Sequence, residues 1–439
     1  MSLPAASIGV RCTIGGKSVQ INSMSVTTGS YGSVGHATLG SDVSMLTAQG
    51  IDLVKVASEG TQVPVAVSVL YNGGNETSLF GGEFLRASWD FDQDTVTMSA
   101  RDWAGVLVDQ RRVLTRDVKP LTQILQPLSP GRDPEVGIST MNRQVSQIVT
   151  DIANSYGFTP VLSMRDGSDV PAGAIYGSQD QAFMTIPQSM WSVLNTLAKD
   201  TGNEVYVTPD KKLVFGEPGA GLPTVKLTWR TPLQQVMQSQ SDPNPAGPVP
   251  CRNLVVDYNP RRNSTFRVMV ISYDPANAKT VVGRATYVGD NMASSSVPLG
   301  MNIGGAAVTA DKALAQSAQT KGYGSISRLS SVQLYTFHWD GLTVDLANAR
   351  AGAIATDIAK RLLLMSCRID GYPLMRPTQK LQLYAPSVSS TFTGNTWYTC
   401  GITHTYTMPT GGRVGDAGFW TRLQALDVPS VALAQGVSR

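Results

Sequence analysis

The segment Leu79-Phe80-Gly81-Gly82-Glu83-Phe84-Leu85-Arg86-Ala87-Ser88-Trp89 precedes a charged tip, which is followed by Thr95-Val96-Thr97-Met98-Ser99-Ala100-Arg101-Asp102. Alternation of apolar and polar residues on both sides of a short polar turn predicts an antiparallel β-hairpin. A second stretch repeats this order, since Phe392-Thr393-Gly394 leads into an alternating strand at 396–404 and the chain turns back before 419–423. We therefore predict two similar β-units. Such a duplication is typical of assembly proteins, because it lets an oligomer of few copies present a higher pseudo-symmetry.

The composition indicates a folded chain with many short strands. Its 439 residues are enough for two to four domains, 42% are hydrophobic and only 15% are charged. The 42 glycines and 25 prolines supply frequent turns, which favours short strands over long helices. The net charge of +3 is too weak to indicate a protein that coats nucleic acid.

The cysteines and the apolar segments narrow the class further. Cysteines occur at positions 12, 251, 367 and 400, without the CxxC spacing of a zinc or redox site. This pattern predicts neither a disulfide framework nor a metal site and fits synthesis in a reducing, intracellular compartment. The first residues lack the basic and apolar regions of a signal peptide, and no apolar run approaches the ~20 residues that span a bilayer. We expect a soluble protein with no membrane-spanning segment.

The order of local signals predicts a mainly β fold with an α+β module in the middle. Residues 1–118 contain a hairpin at 10–21, a short helix at 41–50, an alternating strand at 63–71 and the Phe80 hairpin. Residues 119–230 contain helices at 142–156 and 189–201, followed by a small hairpin, and form the module. Residues 231–426 begin with a polar, proline-rich connector and form the second β-unit, with its longest helix at 343–365. Residues 427–439 are expected to be a C-terminal tail.

A search for chemistry finds no credible catalytic, cofactor or metal site. His36, His338 and His404 are not spaced for metal binding. We interpret His338 and His404 as strand histidines bonded to neighbours, with a catalytic base as the less favoured alternative. Asp90, Asp92 and Asp94 alternate at the hairpin tip. A calcium loop would need Gly and Glu where Thr95 and Arg101 stand, so a solvated turn is the better interpretation.

Other motifs are incomplete. Gly16-Lys17-Ser18 resembles the end of a phosphate loop but lies in a hairpin, and the stretch 31–35 lacks the first glycine of a nucleophile elbow. The pairs Arg111-Arg112 and Arg261-Arg262 lack the interleaved aromatics of a nucleic-acid platform; they are interpreted as solvated edges, with a protein contact as the other option. Four tryptophans leave a carbohydrate-binding adhesin open, although core packing explains them better. They are Trp89, Trp103, Trp397 and Trp420.

The order of these parts resembles the baseplate hub proteins of phage tails. This trimeric family is related to the late control protein and to the N-terminal part of type VI secretion spike proteins. The likeness covers most of the chain. It runs from the Phe80-Gly81-Gly82 hairpin into Ala100–Asp109 and through the helices at 144–156 and 188–198. It ends with Gly371-Tyr372-Pro373-Leu374-Met375-Arg376-Pro377 and the strand at 392–404.

The resemblance implies an architecture and a role. Two tail-tube-like β-barrels, joined by the small helix-and-hairpin module, are expected in each chain. A homotrimer would then present six barrels to the sixfold tail tube and threefold symmetry to the central spike, with a channel for DNA ejection. The chain would contact the tube protein, the spike and other baseplate proteins in the virion, after assembly in the host cytoplasm. The segment 290–322 departs from the family pattern.

Two other functions stay open. The chain could be another tail-tip or spike-complex structural protein of the same particle, or a carbohydrate-binding adhesin. An enzyme is the least favoured class. No cofactor is predicted, and DNA is expected only in passage.

Overall fold

The fold was obtained as a computed structural model. The structure describes residues 9–29, 32–58, 62–71, 75–112, 114–115, 138–139, 144–165, 168–169, 188–229, 249–263, 265–274, 278–287, 333–338, 342–385, 392, 395–408, 418–427 and 432–438. The segment 290–322, most of the connector at 231–250 and Tyr31 therefore lie outside the described residues. Among the helices that are described, none has the length and apolar character needed to cross a bilayer.

The chain is mainly β, as predicted. The helices are α1 (Val43–Ala48), α2 (Leu53–Ser58), α3 (Ala104–Asp109), α4 (Val145–Ser155), α5 (Met190–Thr201) and α6 (Val344–Ala359), with a 3₁₀ turn at Pro260–Asn263. The strands are β1 (Gly9–Ile14), β2 (Lys17–Val19), β3 (Ser23–Thr28), β4 (His36–Asp42), β5 (Pro64–Tyr71), β6 (Asn75–Asp90), β7 (Thr95–Asp102), β8 (Arg111–Arg112), β9 (Leu114–Thr115), β10 (Ile138–Ser139), β11 (Thr159–Ser163), β12 (Gln188–Ser189), β13 (Glu204–Val207), β14 (Lys212–Gly216), β15 (Val225–Trp229), β16 (Val249–Tyr258), β17 (Phe266–Asp274), β18 (Lys279–Tyr287), β19 (Gln333–His338), β20 (Leu363–Asp370), β21 (Lys380–Tyr384), β22 (Thr396–Thr407), β23 (Gly418–Asp427) and β24 (Ala432–Ser438).

The first β-unit is a curled sheet of seven strands in the order β2-β1-β5-β6-β7-β4-β3. Period-two alternation places one row of each strand in a common core, for example Val65, Val67 and Val69 of β5, which are buried. Helices α1 and α2 add Leu46 and Leu53 to the same core. The helix expected at 41–50 is therefore confirmed, as are the hairpins at 10–21 and at Phe80.

The second β-unit contains a closed barrel of six strands. The ring runs β22-β21-β15-β16-β20-β23 and closes by pairing β23 with β22. Its interior is filled by apolar side chains around Trp397, which is fully buried and whose Nε1 donates to the Phe392 carbonyl oxygen at 3.1 Å. Strand β15 belongs to this barrel, although it lies inside the range predicted for the module.

One closed barrel is thus observed where the resemblance implied two. Within the described residues, no pairing joins the β2 edge of the first unit to its β3 edge, so that sheet is open. Strand β3 instead pairs with β22 of the barrel, with Thr27 opposite Thr403. The hydrogen bonds that could have closed the first sheet on this side are therefore used to fuse the two units. The result is one continuous sheet of 13 strands.

The two units nevertheless share a strand order. The first contains β3-β4-β7-β6-β5 and the second contains β16-β20-β23-β22-β21, and every neighbouring pair is antiparallel in both. When the five strands of each set are numbered by their order along the chain, both sets have the same order in the sheet, 1-2-5-4-3. The similarity predicted from the two hairpins therefore extends to five strands.

The α+β module packs against both units. Helices α4 and α5 cover the sheet β11-β14-β13 and share a core with Trp103 and Leu107 of the first unit. Both predicted helices are confirmed: Ser189 Oγ accepts from the Ser192 N–H at 3.1 Å, and Gly202 ends α5 in the left-handed conformation.

An α/β layer is inserted into the barrel sequence between β16 and β20. Helix α6 packs on the sheet β19-β17-β18-β24 through a stripe of alanines, and the backbone of Ala347 lies against Gly283. The predicted helix was too long, since α6 ends at Ala359 and Leu363 begins β20. Pairing of β20 with β16 and β23 overrides the helical pattern there. Residues 432–438, inside the predicted tail, form β24 and pair with β18.

Candidate assembly surfaces

His404 is buried inside the continuous sheet and has a structural environment. Its Nδ1 lies 2.9 Å from Thr421 Oγ1, and its ring stacks on Phe419 with centroids 5.6 Å apart. Burial lowers the pKa of His404 to about 3, and the charge of Arg376 adds to the shift. A neutral, packed imidazole without solvent access cannot serve as a general base for an outside substrate.

Two of the three aspartates of the Phe80 hairpin, Asp90 and Asp94, organise its tip through their carboxylates. Asp90 Oδ1 accepts from the N–H groups of Asp92 and Gln93, each at 3.1 Å, as in an Asx turn. Asp94 accepts from the Ser44 N–H at 2.8 Å and from Ser44 Oγ at 2.5 Å. These hydrogen bonds lower the pKa of Asp94. The structure therefore places these carboxylates in a turn that is tied to the start of α1.

The remaining sequence motifs are dispersed. Gly16, Lys17 and Ser18 lie at the β1–β2 turn, and His36 and His338 are exposed on strands. Arg262 is buried in an ion pair with Asp427, whereas Arg261 is exposed. Arg111 and Arg112 form β8, but their side chains lie outside the described residues. Among the residues that the structure describes, no three His, Cys, Asp or Glu side chains converge as metal ligands.

The tryptophans do not form a common platform. Trp397 and Trp103 are buried; Trp103 Nε1 donates to the Pro209 carbonyl oxygen at 3.2 Å, and Lys211 Nζ lies 4.0 Å from the ring centre. Trp420 is half-buried beneath Arg368, and Trp89 lies at the hairpin tip. Core packing was expected for all four tryptophans, and it accounts for two of them, Trp103 and Trp397. The other two lie on separate surfaces, so their arrangement gives no support to a carbohydrate platform.

Two buried carboxylates lie at junctions between parts of the fold. Asp102 Oδ2 accepts from the Gly35 N–H at 2.6 Å and Oδ1 from the Ala104 N–H at 3.0 Å, while burial raises the pKa of Asp102 to about 7. Burial likewise raises the pKa of Glu204 to about 7, although Lys360 Nζ lies 3.2 Å away. Their partners are backbone groups and a lysine of the same chain. Asp102 fixes the turn between β7 and α3 within the first unit, and Glu204 ties the module to the end of α6.

Exposed apolar side chains gather where the hairpin tip meets α1 and α2. We call this surface the tip patch; it consists of Val54, Trp89 and Phe91 around a groove of about 590 Å³. Phe91 is 77% exposed and Val54 is 63% exposed. Asp52 lines the groove, Asp90 and Asp92 flank Phe91 along the chain, and Lys55 follows Val54. Contiguous exposed apolar surface of this kind marks an interaction site.

A second exposed surface lies on the barrel strands β15 and β21. Lys226 pairs in register with Gln382, so Lys226, Lys380 and Tyr384 project from the same outer face. Tyr384 is 61% exposed. We call this the lysine–tyrosine surface. The charged side chains of this surface are positive, whereas those of the tip patch are mainly negative.

The outer face of the continuous sheet has a third character. Along β3, β7 and β22 most outward positions are hydroxyl side chains, and β4 adds Thr38. Ser25, Thr38, Ser99 and Thr405 lie opposite one another from strand to strand. We call this the polar sheet face. Alternation in segments such as Ser23–Thr28 is visible in the sequence, but their alignment across strands depends on long-range register that sequence inspection missed.

The chain is similar in fold to solved structures of phage tail proteins. No protein-family model matches the chain, and no curated protein matches it in sequence. Among solved structures, a tail protein from Neisseria meningitidis MC58 aligns with a TM-score of 0.56 at 12% identity, covering 95% of this chain and 96% of that one. The 43 kDa tail protein of prophage MuSo2 from Shewanella oneidensis aligns with a TM-score of 0.51 at 15% identity, covering 95% and 98%. This chain therefore has, along nearly its whole length, the fold of these phage tail proteins.

Proposed function

We propose that this chain is the structural hub of a phage tail baseplate, a homotrimer that joins the sixfold tail tube to the threefold central spike. The observation that carries the proposal is the repeated five-strand order within a chain that has a tail-protein fold. Three copies supply six such sets, and a ring of six similar units matches a sixfold neighbour. The chain acts through shape and register in the virion, as a non-enzymatic part.

Contact between copies is proposed to join the tip patch of one copy to the lysine–tyrosine surface of the next. The first surface is apolar with aspartates around it, and the second carries an exposed Tyr384 with Lys226 and Lys380. Opposite charges around apolar centres favour this pairing and suppress contact between like surfaces. Because the two surfaces differ, the interface is heterologous, and a threefold rotation between copies closes it into the proposed ring.

The mass of the purified chain in solution tests the trimer. We expect light scattering to give three times the 46.8 kDa of one chain. A stable twofold dimer would contradict the hub, since an isologous contact leaves no threefold end for the spike.

Charge exchange tests the contact itself. The double variant Asp92→Lys/Gln93→Lys, which leaves the Asp90 turn intact, and the double variant Lys226→Asp/Lys380→Asp should each weaken the trimer. Their combination should restore it, because the opposite charges face each other again with reversed signs. If the trimer persists in both double variants, the proposed contact is wrong, and a different interface must hold the copies together.

A further inference from the structure

We propose that the polar sheet face, together with a row of arginines that extends it, is the surface along which duplex DNA moves through the hub. The row is set by strand register. Arg252 of β16 lies opposite Arg368 of β20, and Arg368 lies opposite Arg422 of β23. This inference rests on the proposed function for the presence of a channel, but the surface itself is defined by the fold of one chain.

The row continues across the junction between the two units. Arg422 lies opposite Thr403, Thr403 opposite Thr27, and Thr27 opposite His36. The hydroxyl oxygens of Thr27 and Thr403 are 3.2 Å apart, which places both side chains on the same face. With Arg101, which lies opposite His36, seven neighbouring strands present one line of side chains, about 29 Å long at the usual strand spacing when followed along the curved sheet.

The charge along this line is positive. Asp370 is paired with two of the three stacked arginines; it lies 2.9 Å from Arg368 Nε and 3.4 Å from Arg252 Nε. No ion pair joins Arg422 to a carboxylate within the described part of the chain. The line ends at Arg101, whose guanidinium is paired with Glu83 and Asp109.

This placement costs stability. Like charges directly opposite in adjacent strands repel each other, and here three arginines are stacked across three strands. The single Asp370 offsets only part of the repulsion. The Trp420 ring, 4.7 Å from Arg368 Cζ, adds a favourable contact with that guanidinium alone. A polyanion lying on the row would relieve the repulsion that the chain leaves in place.

The chemistry favours a phosphate backbone over a protein. The cores of protein interfaces are enriched in aromatic side chains, methionine and arginine and depleted in serine. The arginines of this face would suit either partner, whereas its many hydroxyl groups are unlike such a core. Arginine, serine and threonine are side chains that contact phosphate oxygens without reading bases. Hydroxyl groups make weak contacts, so a duplex is held loosely and can slide, in agreement with the low net charge of the chain.

Salt-dependent binding of a short fluorescent DNA duplex to the purified chain tests the assignment. The double variant Arg368→Thr/Arg422→Thr should bind more weakly and reduce the slope of log affinity against log salt by about one unit per arginine. The matched control is Lys212→Thr/Arg361→Thr, which removes the same charge from exposed positions outside the sheet face. The control should retain the wild-type slope. Thermal unfolding of both variants verifies that each is folded.

Equal losses in the two double variants, or no duplex binding by the wild type at low salt, would overturn the proposal. An unchanged DNA affinity with an altered solution mass would also overturn it, since the row would then be a protein contact. The measurement does not require a trimer. A chain that is not trimeric, but whose DNA binding depends on Arg368 and Arg422, would refute the proposed hub and support this DNA surface. A trimeric chain whose DNA binding does not depend on these arginines would support the hub and refute the DNA surface.

Discussion

Ala100 and Ala425 occupy equivalent positions in the two five-strand sets, because each is the last paired residue before a one-residue bulge in its hairpin. Ala100 lies opposite Phe84, and the bulge follows at Leu85; Ala425 lies opposite Thr399, and the bulge follows at Cys400. Two residues further along, each strand carries a buried aspartate, Asp102 in one and Asp427 in the other.

A β-bulge increases the local twist of a strand and changes the direction of its side chains. A bulge at the same position in both hairpins indicates that the two hairpins bend in the same way. The buried aspartates have different partners. Asp102 accepts from the backbone N–H groups of Gly35 and Ala104 within the first unit, and Asp427 binds Arg262. The two units thus share the bulge and the position of the buried aspartate, but the aspartate binds different groups in each unit.

The junction between the first unit and the module should be sensitive to one methyl group at Gly81. A Cβ there would lie 2.1 Å from the Pro209 carbonyl oxygen, which is backbone and cannot rotate away. We expect Gly81→Ala to destabilise the protein by roughly 1–3 kcal/mol or more, seen as a lower Tm. At Gly9 a Cβ would meet only the Leu70 side chain at 3.6 Å, so Gly9→Ala is the control; equal shifts in both variants would contradict the account.

The buried pair Arg262–Asp427 should contribute far more than a surface pair. Arg262 Nη2 lies 2.6 Å from Asp427 Oδ2, and the two side chains are 4% and 6% exposed. Asp427→Asn leaves a buried guanidinium without its counter-charge, so we expect a loss of about 3–5 kcal/mol in the free energy of unfolding. Glu76→Gln, which breaks the exposed pair with Arg11, should cost about 0–1 kcal/mol in the same denaturant titration. Similar costs for the two variants would show that Arg262 finds another partner.

His404 should make the protein less stable as the pH falls. Its pKa is about 3 in the folded state and about 6.5 when unfolded. Between these values the unfolded chain binds one more proton, so stability decreases on acidification by up to about 1.4 kcal/mol per pH unit. His404→Gln should flatten the dependence of unfolding free energy on pH between 6 and 4. His36→Gln, at an exposed strand position, is the control, and a wild-type slope in the His404 variant would refute the prediction.

Removing Arg422 should stabilise the fold. Arg422 lies directly opposite Arg368, and opposite like charges cost roughly 0.2–1 kcal/mol. Arg422→Thr should therefore raise Tm at low salt, and the gain should shrink at high salt because the repulsion is screened. Arg361→Thr, at a position outside the sheet face, should change Tm little. A lower Tm for Arg422→Thr at low salt would mean that the arginine makes a favourable contact in the folded protein.

Local signals in the sequence predicted local structure well. The cap at Ser189, the terminal Gly202 and the alternation of residues 63–71 each depend on neighbours a few positions away, and the structure confirms the elements they define. The end of α6 was wrong because Leu363 joins a strand through partners that are remote in sequence.

Local sequence signals could not predict the contacts between segments that are distant along the chain. Barrel closure depends on β15, which pairs in parallel with β16 and β21, and parallel pairs of distant segments have no turn signal. The arginine row is assembled from residues 252, 368 and 422, brought into line by a register that shifts between Arg252 and Val255. The likeness of the two β-units was detectable because each contains its own hairpin, whereas the fusion of β3 to β22 was not.

Electron microscopy of the purified chain at a concentration where its mass is trimeric tests the central claim most directly. The account predicts a ring with threefold symmetry and a central hole, in which six lobes of similar size alternate between open sheets and closed barrels. Particles with twofold symmetry, or threefold particles whose first units lie away from the ring, would contradict it.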